Sequence, residues 1–194
     1  MAQLSMKRVG DVPAPANQVK MKRVGDVPNP DPKTYHGEDA VREVTKLEGE
    51  LTPLQRAIVL EEGYVDSVYE DDAASRGIGK ENVKTRGVGQ TGEFMNMTFK
   101  EALAIKVEEV KKRIPGYDSL NEDQQIAMVS LHYRGDLDQS PTFRDLWNKG
   151  EHEKAAEELL NHAEYKKRKA SGKPDGVVKR LEHNQSRLFP REEK

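Results

Sequence analysis

Five glycines, Gly77, Gly79, Gly87, Gly89 and Gly92, crowd into residues 77–92 of a chain that from about residue 39 otherwise reads as helix. Glycine at that density interrupts any helical run. The short alternating pieces over 69–92 fit a small β-hairpin or sheet instead. Upstream, Leu51, Leu54, Ile58 and Glu62 fall near one helical face, and Gly63 is a natural stop. Downstream, Thr98 and Glu101 have capping-box spacing, and Phe99, Leu103, Val107, Val110 and Ile114 mark a helix ending near Pro115. Ser119 and Glu122 repeat that spacing before residues 126–131, whose apolar side chains surround the helix and predict a buried central element. Phe143, Leu146 and Trp147 predict a core-facing turn closed by Gly150. Ala155, Ala156, Leu159, Leu160 and Ala163 predict one further helix, and Val177, Val178, Leu181, Leu188 and Phe189 a last one. The expected class is α+β, mostly α, with a small β-hairpin or sheet lobe and a helical lobe over residues 39–194.

Residues 1–38 read differently. Pro13, Pro15, Pro28, Pro30 and Pro32 are half of the 10 prolines, and apolar periodicity is missing, so an extended arm is expected. Within it Met6-Lys7-Arg8-Val9-Gly10-Asp11-Val12-Pro13 recurs unchanged as Met21-Lys22-Arg23-Val24-Gly25-Asp26-Val27-Pro28. Two short copies cannot build a solenoid. A duplicated linear motif suits docking to repeated sites on a partner, with a gain in avidity.

With 32 basic and 34 acidic residues the net charge is −2, which argues against nucleic-acid binding through bulk electrostatics. There is no cysteine, so disulfides, thiolate metal sites and a cysteine nucleophile are excluded. No stretch approaches the roughly 20 apolar residues needed to span a bilayer, and the start of the chain lacks the apolar core of a secretory signal. Membrane insertion is not expected. A substrate outside the cytoplasm would require delivery by a membrane-permeabilising partner or by a virus particle.

The acidic residues allow a pair of the kind glycoside hydrolysis needs, one carboxylic acid to protonate the leaving oxygen and one ionised carboxylate across the bond. Glu62, where an apolar helix face meets Gly63, is expected to be buried with a raised pKa. Asp71, in a polar glycine-rich segment, is expected to stay ionised. Periodicity leaves Glu61 open beside Glu62, and composition leaves Asp72 open beside Asp71.

Glu62-Gly63, Tyr69, Asp71 and Thr85-Arg86-Gly87-Val88-Gly89-Gln90-Thr91-Gly92 resemble the signature of bacteriophage-type lysozymes, the endolysins with muramidase activity: Glu-Gly, Tyr-x-Asp, Thr-x-Gly-x-Gly. The likeness continues through His132-Tyr133-Arg134-Gly135, Pro141-Thr142-Phe143 and Gly176-Val177-Val178-Lys179-Arg180-Leu181-Glu182, and spans about residues 48–190. The resemblance selects Glu62 over Glu61 and Asp71 over Asp72. It implies a lysozyme-like fold and hydrolysis of the β-1,4 bond between N-acetylmuramic acid and N-acetylglucosamine. Glu62 would be the acid, Asp71 its carboxylate partner, and Thr85 would help place the attacking water. Tyr69, Gly87, Gln90 and Thr142 are expected at the glycan site, with no cofactor. Ser75-Arg76-Gly77-Ile78-Gly79-Lys80 approximately copies residues 85–90, so Ser75 rivals Thr85, which Thr91-Gly92 favours.

The five histidines lack zinc-type spacing, and no metal is expected. Lys166-Lys167-Arg168-Lys169 reads as a solvated helix end. The implied partners are bacterial peptidoglycan and, through residues 1–38, phage structural proteins. The implied location is a virion acting in the host periplasm, or the host cytoplasm before release by a holin.

Overall fold

A computed structural model describes residues 32–71, 83–161, 163–172 and 176–190, with the side chains of Glu70, Asp71, Val83, Ala163 and Glu164 outside that description. The duplicated octapeptide, Asp72, Ser75 with the glycine-rich copy around it, and His162 lie outside the described residues. The expected α+β, mostly helical class is found. One four-stranded antiparallel sheet has the order β1 (Thr34–Tyr35), β2 (Tyr64–Asp71), β3 (Val83–Gly87), β4 (Gln90–Thr91). Thr34 opposes Val65, Tyr69 opposes Thr85, Asp71 opposes Val83, and Thr85 opposes Thr91; the β2–β3 register shifts between Val65 and Tyr69.

Helices α1 (Gly37–Glu48) and α2 (Pro53–Glu62) lie between β1 and β2. The boundary expected at residue 38 therefore moves: the compact unit starts at Pro32, because Thr34 and Tyr35 complete the sheet edge and Gly37 already opens a helix. The cap of α2 is Thr52, whose hydroxyl accepts from the Gln55 N–H while the Gln55 amide accepts from the Thr52 N–H, with Pro53 pre-set in the first turn. Leu51 lies just before this helix.

After a 3-10 turn (Gly92–Asn96), α3 (Phe99–Arg113) begins at Thr98 with the expected capping box to Glu101. Its first two N–H groups, which the box does not serve, have a partner of their own. The Glu48 carboxylate accepts from Phe99 N–H at 2.7 Å and Lys100 N–H at 2.9 Å, a negative charge set on a helix N-terminus from the end of α1.

The central helix α4 (Glu122–Tyr133) is buried from Ile126 through His132 and packs against α2, α3 and the last helix. Its cap differs from the expected Ser119. Ser119 ends a 3-10 turn and donates its hydroxyl to Gly116 O at 2.6 Å, so Asn121 caps the helix by accepting from Gln124 N–H at 2.9 Å. Then follow α5 (Asp136–Gln139), α6 (Pro141–Asn148), α7 (His152–Leu159), α8 (Ala163–Ala170) and α9 (Gly176–Leu188). The single helix expected over 155–163 is two: α7 ends at Leu159, Asn161 N–H turns back to Glu158 O, and Ala163 starts α8. Phe143 and Trp147 are core, as expected, with Phe189 edge-on to Trp147 at 5.6 Å. Among the described residues no helix is long and apolar enough to cross a membrane.

His132, in the last turn of α4, is enclosed between α3 and α5, with Nε2 2.8 Å from Glu109 Oε2 and Nδ1 3.5 Å from Asp138 Oδ2. Burial depresses its pKa, opposed by the Glu109 hydrogen bond and the Asp138 charge and reinforced by Lys106 and Arg113. The native state then holds fewer protons on this ring than the unfolded chain does. Its contribution to stability is present above the unfolded value of about 6.5 and is lost as pH falls below it. Urea midpoints are expected to drop between pH 7.5 and 5.5, and His132→Gln, which cannot titrate there, to flatten that slope; an unchanged slope would show that His132 does not carry it.

Candidate active site

Where α2 ends, the chain must turn sharply into β2, and Gly63 makes the turn at φ 77° and ψ −169°, returning its N–H to Val59 O at 2.9 Å. That backbone region is essentially restricted to glycine. A Cβ on Gly63 would also stand 2.8 Å from the Tyr35 carbonyl oxygen, which is backbone and cannot yield cheaply. Gly63→Ala is expected to cost at least about 2 kcal/mol in chemical denaturation. A loss under half of that would show that the corner is not strained.

The corner sets Glu62 at the seam of helix and sheet. A cleft of about 810 Å³ opens there, and Glu62, Tyr69, Thr85 and Gly87 all line it. Glu62 Oε1 accepts from Arg180 Nη1 at 2.6 Å, and Oε2 lies 3.9 Å from Arg134 Nη1. Oε2 also faces the β3–β4 turn: a Cβ on Gly89 would lie 3.8 Å from it and 3.7 Å from the Tyr133 ring, ordinary contact distances, and what favours glycine there is the left-handed φ of 68°. The Tyr133 hydroxyl donates to Val88 O, and burial, with the Glu62 charge behind it, raises its pKa. Glu62 is only partly buried, its side chain 16% exposed, and its surroundings are guanidinium groups rather than the apolar pocket inferred from the helix face.

Glu61 also borders the cleft, yet its carboxylate is committed elsewhere. Oε1 is 2.7 Å from Arg187 Nη1, and Oε2 accepts from Ser130 Oγ, which itself accepts from Asn184 Nδ2 at 2.9 Å. Arg180 and Arg187 stand two turns apart on α9, so one helix face holds both glutamates.

On the sheet side, Tyr69 and Thr85 are direct cross-strand partners, which puts their side chains on one face. Thr85 is buried. Asp71 closes β2 opposite Val83. Two expected binding residues are not brought to the cleft. Gln90 is buried and donates its amide to Phe94 O at 3.1 Å and Met97 O at 2.9 Å, fastening the 3-10 turn. Thr142 is exposed in the first turn of α6, away from the cleft lining.

Of the basic run on α8, Lys166, Lys167 and Lys169 are exposed, but Arg168 reaches the cleft wall. Sequence reasoning assigned no role to Arg180, Arg134, Tyr133 or His36, all of which line the cleft. The spacing of Arg180 and Arg187 is the one signal that could have found the pairing, since it places two cations on one face of a helix. Among the described residues no group of histidines and carboxylates is arranged to hold a metal ion. Comparison with models of known protein families and with curated proteins finds no match.

Proposed function

We propose that the chain is a peptidoglycan hydrolase, a muramidase that cleaves the β-1,4 bond between N-acetylmuramic acid and N-acetylglucosamine. One observation carries the reading: Glu62 has one oxygen held by Arg180 and the other turned toward the β3–β4 hairpin, inside a cleft that Tyr69 and Thr85 also line. A cleft of this size accommodates several sugar rings of a glycan strand. In this reading Glu62 donates a proton to the glycosidic oxygen from Oε2, while Arg180 fixes the carboxyl through Oε1. Asp71 is the second carboxylate, which takes a proton from the attacking water, and the Thr85 hydroxyl orients that water. No cofactor enters the reaction.

The duplicated octapeptide of residues 1–38 supports a further element of the proposal, docking to a phage structural protein, with action on the host wall from a virion. The test of the activity is the chemistry of the products. Incubated with purified peptidoglycan, the protein is expected to release reducing N-acetylmuramic acid ends by mass spectrometry and to clear permeabilised Gram-negative cells. Anhydromuramyl ends would replace hydrolysis by transglycosylation, and intact glycan would remove the enzyme reading altogether.

A further inference from the structure

His36 borders the cleft with Glu62 and Tyr69 and is exposed to solvent. Its ring rests against the Gly63 corner, where a Cβ would stand 3.1 Å from Nδ1 and 3.6 Å from Cε1. The ring thus packs closely on the Gly63 corner, where a side chain would push it aside by a few tenths of an ångström. His36 occupies the N-cap position of α1 with extended backbone, yet its side chain makes no capping bond. Helix starts favour serine, threonine, asparagine or aspartate there, so an imidazole at this position contributes little to the helix.

The backbone that carries His36 is well anchored. Lys33 N–H donates to Asp66 Oδ1 at 3.1 Å, Asp66 N–H donates to Lys33 O at 3.2 Å, and the Tyr35 and Tyr64 rings pack 5.9 Å apart. These contacts hold β1 on β2 and set the His36 backbone beside the cleft wall. A neutral imidazole offers one donor and one acceptor on a flat apolar body, which matches the hydroxyl and acetamido groups of an amino sugar.

We propose that His36 is a saccharide-contacting residue, supplied to the glycan site by the N-terminal strand. The proposal rests on the muramidase reading. Its test uses the Glu62→Gln protein, so that ligand is not consumed, and glycan strands of alternating N-acetylglucosamine and N-acetylmuramic acid freed of peptides by an amidase. The imidazole resonance that vanishes in a Glu62→Gln/His36→Ser protein is expected to move on adding strands. His36→Ser is expected to weaken strand binding about tenfold, which equals about 1.4 kcal/mol. Serine is a preferred N-cap, so the thermal midpoint should hold or rise, and lost binding cannot be ascribed to lost fold. Equal affinity with a stationary His36 resonance would overturn the proposal and leave the muramidase reading standing. Strands that bind neither protein would overturn both.

Discussion

Glu62→Gln is expected to cut glycan hydrolysis by about 10²- to 10⁴-fold, the contribution of a positioned general acid, while leaving a folded protein. The amide has nearly the same shape and its oxygen can still accept from Arg180, which in the native protein makes the 2.6 Å contact to Glu62 Oε1 and a second bond to Glu61 O at 3.3 Å. What the amide cannot supply is a proton at Oε2, the oxygen nearest the β3–β4 turn. Reducing ends released from peptidoglycan, measured beside the thermal midpoint, separate the two effects. If Glu62→Gln releases ends as fast as the parent, Glu62 is a structural carboxylate and the acid must be sought elsewhere in the cleft. If it unfolds, the Arg180 pair is a stability element first.

The features legible in the sequence are those set by local rules. Glycines at 87, 89 and 92 required a turn region, and the Thr98–Glu101 box and the apolar girth of residues 126–131 fixed two helices, because each is determined within a few neighbouring positions. Strand β1 was not legible. Two residues have no period, and Thr34 and Tyr35 become a strand only through pairing with Val65 and Tyr64, some 30 residues away. Ser119 and Asn121 both have a partner three positions on, and the choice between them depends on the 3-10 turn that occupies Ser119. Gln90 sits inside the signature that resembles the phage lysozymes, but its buried amide is used by two backbone carbonyls, a demand visible only once the chain has folded around it. Glu61 and Glu62 are the sharpest case. Adjacent helix positions differ by about 100° in direction, and with Leu54 and Ile58 as markers neither is clearly the inner one. The cations on α9, more than a hundred residues later, give each carboxylate its own partner.

That division leads to the expectation of a large stability effect at Glu61. Its pair with Arg187 leaves the two side chains 12% and 16% exposed, and Ser130 and Asn184 extend the contact into α4 and α9. Removing one member of such a pair strands the other charge away from water, so Glu61→Ala is expected to cost about 3 kcal/mol of unfolding free energy. Most of that loss belongs to the stranded Arg187 rather than to the worth of the pair. Replacing both, as Glu61→Ala with Arg187→Met, is expected to cost less than the sum of the single changes by about 1–3 kcal/mol. Urea denaturation of the four proteins completes the cycle. Independent, additive losses would show that Glu61 and Arg187 do not act as a unit. Glu61→Gln supplies the counterpart to Glu62→Gln: in the proposed reaction Glu61, held by Arg187 and Ser130, donates no proton, so the change is expected to lower the denaturation midpoint and keep hydrolysis within about tenfold of the parent. Two adjacent glutamates, changed in the same way, should thus lose different properties, and a loss of activity at Glu61 with none at Glu62 would reverse the assignment of acid and anchor.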